Sequence, residues 1–154
     1  MTASERGSIF LERARVISQL AWDAGQFVLR VAAPKCAAHA EPGSFAHVTC
    51  DAAIPMRRPL SIMRVDARAG WIEMLYKVVG KGLAALAARK AGDEVSILGP
   101  IGRPFRAHPE RPRTLLVGGG VGIPPMVFLA ERLHQAACAG GAAVAWKPLV
   151  LMGS

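Results

Sequence analysis

The run Gly118-Gly119-Gly120-Val121-Gly122 constrains this chain more than any other feature. It follows an unbroken apolar stretch, Thr114-Leu115-Leu116-Val117, and precedes Pro124-Pro125. Apolar residues without alternation mark a strand covered on both faces. Prolines suit the first turn of a helix, where the missing N–H has no intrahelical partner. A helix is expected from about Pro124 to Ala139, with Val127, Ala130, Leu133 and Ala137 on one stripe and Glu131, Arg132 and Gln135 on another. Gly140-Gly141 ends it, and Pro148 to Met152 reads as a second buried strand. Strand, glycine turn, helix, strand is the opening of a βαβ unit. Such a turn lets a ligand approach the backbone, and the helix start offers free N–H groups and a positive dipole to a phosphate. Gly120-Val121-Gly122 supplies a G-x-G, but Pro125 stands where a dinucleotide fingerprint has its third glycine. The alternative is a tight connection that binds nothing.

The preceding hundred residues follow another pattern. Ile9 to Leu20 and Gln26 to Ala33 flank the turn Ala21-Trp22-Asp23-Ala24-Gly25 as a hairpin. Ser44 to Cys50, Arg58 to Val65, Trp71 to Val79 and Glu94 to Leu98 are further strands, the last closed by Gly99-Pro100-Ile101-Gly102. Leu83 to Arg89 has helical spacing. Six short strands with one inserted helix imply a small closed barrel. Arg103 to Arg113, with three prolines and four arginines, reads as a linker. The division is therefore a barrel domain over 1–108 and the first, incomplete part of an α/β domain over 112–154. One βαβ unit cannot cover both faces of its own sheet, so the chain is expected to be the front of a longer protein, or to be covered there by a partner or second copy.

Composition narrows the function. Of 154 residues, 52% are hydrophobic and 19% charged, which excludes a disordered chain. No run of about eighteen apolar residues appears, and the first residues lack the basic start and apolar core of a signal peptide, so a cytoplasmic protein is expected. Cys36, Cys50 and Cys138 lie far apart without CxxC spacing, which argues against disulfides and zinc and for buried, inert thiols. His39, His47, His108 and His134 show no ligand spacing either. The net charge of +8 admits nucleic acid, an acidic partner or a phosphate-bearing ligand. With 6% aromatics, a base-stacking platform is poorly supplied. There is no G-x-S-x-G, no H-E-x-x-H and no paired carboxylate motif, so no side chain is expected to be catalytic.

Two barrel segments carry candidate chemistry. In Arg57-Arg58-Pro59-Leu60-Ser61, arginine offers a fork that fits phosphate, serine a hydroxyl for a ring nitrogen, and proline a stiff backbone. An ordinary edge strand is the plainer alternative. Leu75-Tyr76-Lys77-Val78-Val79-Gly80-Lys81-Gly82-Leu83 runs from a strand through glycines into a helix start, a second ready anion site with two lysines beside it. A plain strand–helix connection accounts for it equally well.

Together, the order of these motifs resembles the ferredoxin reductase-like flavoprotein superfamily. Arg58-Pro59-Leu60-Ser61 matches its Arg-x-Tyr/Leu-Ser/Thr motif, and Gly80-Lys81-Gly82 its glycine-bearing helix start. Gly99-Pro100-Ile101-Gly102 matches its Gly-Pro-x-Gly turn, and Gly118 to Pro125 its Gly-Gly-Gly-x-Gly-x-x-Pro turn. Within the superfamily the wording is most similar to electron-transfer subunits of dihydroorotate dehydrogenases, from about Ile9 to the last residue.

The resemblance implies a mainly β fold: a six-stranded antiparallel Greek-key FAD-binding barrel followed by the start of an α/β nucleotide-binding domain. It implies Arg58 on the FAD pyrophosphate, with Pro59, Leu60 and Ser61 along the isoalloxazine ring. Leu75, Tyr76 and Lys77 would line FAD, Gly80 would open the helix, and the N–H groups of Gly82 and Leu83 would take phosphate. Gly118, Gly119, Gly120 and Gly122 would meet NAD(H). The implied chemistry is hydride transfer between NADH and flavin, then single electrons through a 2Fe–2S cluster to a catalytic dehydrogenase subunit in pyrimidine biosynthesis, with a homodimer inside a heterotetramer. Leu83 departs from the usual threonine, removing one hydroxyl contact. The three cysteines do not fit the cluster, whose ligands would lie beyond Ser154, so the fragment is not expected to be active alone. The alternatives are a self-standing NAD(P)H-dependent ferredoxin reductase and, from another class, a basic barrel that binds nucleic acid.

Overall fold

Period-two alternation of buried and exposed side chains builds six antiparallel strands in the computed structural model, which describes residues 8–108, 110–138 and 147–153. In chain order the elements are β1 (Phe10–Trp22), β2 (Gln26–Ala32), α1 (Pro34–His39), β3 (Phe45–Thr49), β4 (Arg58–Asp66), β5 (Trp71–Lys77), α2 (Gly80–Ala87) and β6 (Glu94–Ile101). The strands close into a barrel in the order β1-β2-β5-β4-β3-β6, a Greek-key arrangement. Val16, Leu29, Val31, Val48, Ile62, Ile72, Met74 and Ile97 fill it and are wholly buried. Closure removes the unpaired edges that an open sheet of this size would expose.

Three details depart from the sequence reading. β1 runs on to Trp22, leaving only Asp23–Gly25 as the turn, with Ala24 and Gly25 at positive φ. β6 continues through Gly99-Pro100 to Ile101 instead of stopping at Leu98. Pairing on both sides keeps it extended, Phe10 with Gly99 in β1 and Phe45 with Ile101 in β3. α1 is not expected from the sequence: Pro34 suits its first position, but its cap is remote. The Glu12 carboxylate on β1 accepts from Lys35 N–H at 3.0 Å and Cys36 N–H at 2.8 Å, supplying the N-terminal acceptor from another strand.

After an irregular stretch, β7 (Leu115–Gly119), a single turn (Gly120–Gly122), α3 (Ile123–Cys138) and β8 (Leu149–Gly153) follow, and β8 pairs parallel to β7. Gly140-Gly141, expected to end the helix, lies outside the described residues. β7 alternates rather than being covered on both faces. Leu116 and Gly118 are buried, while Leu115 and Val117, with Leu149 and Leu151 on β8, stand exposed on the face away from α3. α3 also departs from a single inward stripe. Besides Leu133 it buries Pro124 and Phe128, and Glu131, assigned to the other stripe, faces the barrel and bonds Arg64 on β4 at 2.7 Å. The helix lies between barrel and sheet, so two of its faces are covered, and one stripe does not describe it.

Cys36 and Cys50 are buried as expected, but Cys138 is exposed near the end of α3, with Sγ 3.7 Å from His134 Nε2. Among the described residues no helix is long and apolar enough to cross a membrane, and no group of three or more His, Cys, Asp or Glu is arranged to hold a metal ion.

Candidate functional site

The two adjacent arginines at the start of β4 have different partners. Arg57 donates to Ser96 O at 3.1 Å and Ser96 Oγ at 2.9 Å, tying β4 to β6. Arg58 has no carboxylate partner among the described residues. Its guanidinium lies over the first turn of α2, where a Cβ built on Gly82 would stand 2.8 Å from Nε. Only a glycine leaves room for the fork at that point. Val79, ahead of α2, makes no side-chain capping bond, and the first turn holds no acidic residue. The helix N-terminus therefore presents N–H groups and positive dipole beside a permanent cation, with Lys77 and Lys81 exposed nearby in the chain. This combination fits a phosphate or pyrophosphate.

The helix is held in place by side chains that sequence reasoning missed. Gln19 on β1 donates through Nε2 toward the carbonyls of Leu86, Ala87 and Arg89 at 2.9–3.0 Å, around the end of α2. Its Oε1 accepts from Tyr76 O–H at 2.9 Å. Arg89 then bonds Cys50 O and the Asp51 carboxylate. Gln19 carries no motif, and the register shift between Val16 and Ser18 hides it from the strand's alternation as well.

Alternation divides the remaining candidates. Leu60 and Tyr76 are buried, 6% and 2% exposed, and the Tyr76 ring stacks on Phe27 at 5.6 Å. Burial pushes the Tyr76 hydroxyl well above the usual phenol range. Pro59 and Ser61 on β4, and Leu75 and Lys77 on neighbouring β5, fall between these buried positions and so face outward. Among the described residues the Ser61 hydroxyl has no hydrogen-bond partner. Leu83 is half-buried, and Gly80 opens α2 at φ 73°.

The glycine turn lies apart from Arg58 in sequence but comes close to β5 in space. Of its glycines only Gly120 has positive φ, 51°. Gly118 is needed for close approach, since a Cβ there would sit 3.2 Å from Ile123 Cα and Met126 Cγ. Gly120 and Gly122 leave open space where a Cβ would stand, and at Gly119 it would meet only Gly153 O, at 3.8 Å. The site thus consists of a cationic cradle, an outward strand surface and a bare backbone turn, with no nucleophile or paired acid within it.

No protein-family model matches the chain. It is 40% identical over 126 residues to the dihydroorotate dehydrogenase B (NAD(+)) electron transfer subunit of Geobacillus thermodenitrificans, a match covering 79% of this chain and 49% of that protein. The same subunit of Bacillus caldolyticus is 43% identical over 99 residues, covering 62% of this chain and 38% of that one. The chain therefore spans about half the length, or less, of these curated relatives. Among solved structures, an NADH-dependent reduced ferredoxin-NADP oxidoreductase superposes with TM-score 0.76 at 25% identity, over 92% of this chain and 47% of that one. The ferredoxin reductase of carbazole 1,9a-dioxygenase gives 0.75 at 23%, over 95% and 44%. These relatives are oxidoreductases, and none of them favours the nucleic-acid-binding alternative. The chain is a homologue of the electron-transfer subunits of dihydroorotate dehydrogenase B, built on a ferredoxin reductase-like fold.

Proposed function

We propose that residues 1–108 bind FAD and that residues 112–154 begin an NAD(H)-binding domain, together forming the front part of an electron-transfer subunit that serves a catalytic dehydrogenase acting on dihydroorotate. The observation that carries this reading is Arg58 lying across Gly82 at the uncapped start of α2, a cradle that a Cβ would fill. FAD bound there would supply a two-electron acceptor for hydride and a one-electron donor. Arg58 would neutralise the pyrophosphate, and the Gly82 and Leu83 N–H groups would donate hydrogen bonds to phosphate oxygens. Pro59, Ser61, Leu75 and Lys77 would border the ring with side chains, Leu60 and Tyr76 with backbone. The Ser61 hydroxyl would hydrogen-bond the ring edge. Gly118, Gly119, Gly120 and Gly122 would let the nicotinamide nucleotide approach. An iron–sulfur cluster finds no ligand set among the described residues. The partner dehydrogenase, a heterotetramer around a homodimer, a cytoplasmic setting and a place in pyrimidine biosynthesis belong to this proposal.

The test is the visible spectrum of the purified chain after FAD is added and the sample desalted. A retained flavin band is the expected result; a colourless protein overturns the reading of the cradle. Ferredoxin reductases among the structural neighbours favour one second reading, a self-standing reductase. Co-purification with a dihydroorotate-oxidising subunit, rather than reduction of ferredoxin by the chain's full-length form, separates the two.

A further inference from the structure

Glu73 sits on the outward side of β5 yet is only 5% exposed. Two arginines cover it. Arg30, from β2, donates to Oε2 through Nε at 3.0 Å and Nη2 at 2.7 Å, and itself stacks 4.1 Å over the Trp71 ring. Arg64, from β4, donates to Oε1 through Nη1 at 3.1 Å. The other edge of the Arg64 fork turns away from the barrel, and its Nε donates to Glu131 on α3 at 2.7 Å. Charges alternate along Arg30, Glu73, Arg64 and Glu131, so the chain of four crosses from barrel to α3 without net charge.

We infer that Arg64, held by Glu73, is a positioning residue that sets the angle of α3, and with it the glycine turn, against the barrel. α3 packs along β4, and on the face it turns to the barrel Phe128 and Glu131, three residues apart, supply a buried apolar contact and a directional ion pair. The Phe128 contact is apolar and non-directional, so by itself it leaves the helix free to roll. The Nε–H···O bond from Arg64 has a preferred direction and is charge-assisted, which fixes the roll. The glycine turn follows the helix, because Gly118 is packed closely against Ile123 and Met126 in the first turn of α3, where an added Cβ would stand 3.2 Å from each. Glu131 lies eight residues from Ile123, about 12 Å along the axis, so a small roll at the bridge moves the turn with it. The functional consequence rests on the reading of that turn as the nicotinamide site: Arg64 then governs how the nucleotide meets the flavin, without touching either.

Cys138 makes the test direct, since it is the exposed thiol on α3 while Cys36 and Cys50 are buried. Spin labels on Cys138 and on Ala88→Cys, an exposed position after α2, give the α3–barrel distance by pulsed electron resonance. Glu131→Ala is expected to broaden and shift that distribution while the melting of the barrel is unchanged. Glu131→Gln, whose amide oxygen still accepts from Arg64 Nε, recovers part of the original distribution. An unchanged distribution in Glu131→Ala overturns the inference. FAD retention after desalting should be equal in parent and variants, because Arg58 and Gly82 lie on the barrel. A parent that holds no flavin sinks the proposed function and leaves the distance measurement to stand or fall separately.

Discussion

Arg58 and Gly82 share one volume: a Cβ at Gly82 would lie 2.8 Å from Nε and 3.1 Å from Nη2 of Arg58. The residues are on different elements, and each is intelligible only with the other. Gly82→Ala is expected to push the guanidinium off the helix start, and Arg58→Ala to remove it. A charge-assisted hydrogen bond contributes about 1.5–3 kcal/mol, so FAD affinity should fall roughly 10- to 150-fold in either variant. Arg58→Ala should barely alter the melting temperature, because no carboxylate among the described residues loses a partner. Flavin fluorescence titration checks the first expectation and thermal melting the second.

Ser61 should behave differently from Arg58. Its side chain faces outward from β4 and touches no phosphate site, so Ser61→Ala is expected to retain FAD. Removing one hydroxyl from the ring edge should instead shift the flavin midpoint potential, which spectroelectrochemical titration reads. Loss of flavin from this variant would mean that Ser61 holds the cofactor rather than tuning it.

The barrel and the βαβ opening were legible because alternation, turn residues and the glycine run are local signals. Arg58 and Gly82 were legible as separate motifs, but their contact was not, since it depends on how α2 returns over β4. Gln19, Glu73 and Arg64 carry no local signal at all. Each is a polar residue whose partner lies far along the chain: Gln19 with Tyr76, Glu73 with Arg30, Arg64 with Glu131. Glu131 shares a stripe with Arg132 and Gln135 as expected, but that this stripe also faces the barrel was not legible for the same reason. Helical periodicity assumes one buried face, and α3 has two.

The Gln19–Tyr76 pair gives a stability prediction. Gln19→Leu deprives the Tyr76 hydroxyl of its acceptor in a site only 2% exposed, and releases the carbonyls around the end of α2. An unsatisfied buried polar group costs about 1–3 kcal/mol, whereas Tyr76→Phe removes the group and should cost about 0.5–1.5 kcal/mol. The double variant should be less destabilised than the sum of the two, because the stranded hydroxyl is gone. Urea unfolding of the four proteins measures this, and strict additivity would show that the bond carries no coupling.

Cys36 sets an alkaline limit. Burial, with the Glu12 carboxylate adding to it, pushes its thiol from 9.0 up to about 12. The folded state therefore holds this proton more tightly than the unfolded chain does. Its contribution to stability is complete below pH 9, where both states are protonated. Above that the unfolded thiol ionises first, and stability falls as pH rises from about 9 towards 12. Tyr76, raised for the same reason, adds to the decline at the upper end. Cys36→Ala should flatten the first part of the slope in urea unfolding followed between pH 8 and 11, pH values chosen to bracket about two units above the free-thiol range. In native protein at pH 8, a thiol reagent should modify Cys138 and spare Cys36, whose thiolate is scarcely populated there. Rapid modification of Cys36 in the folded state would show that its site opens far more readily than its burial implies.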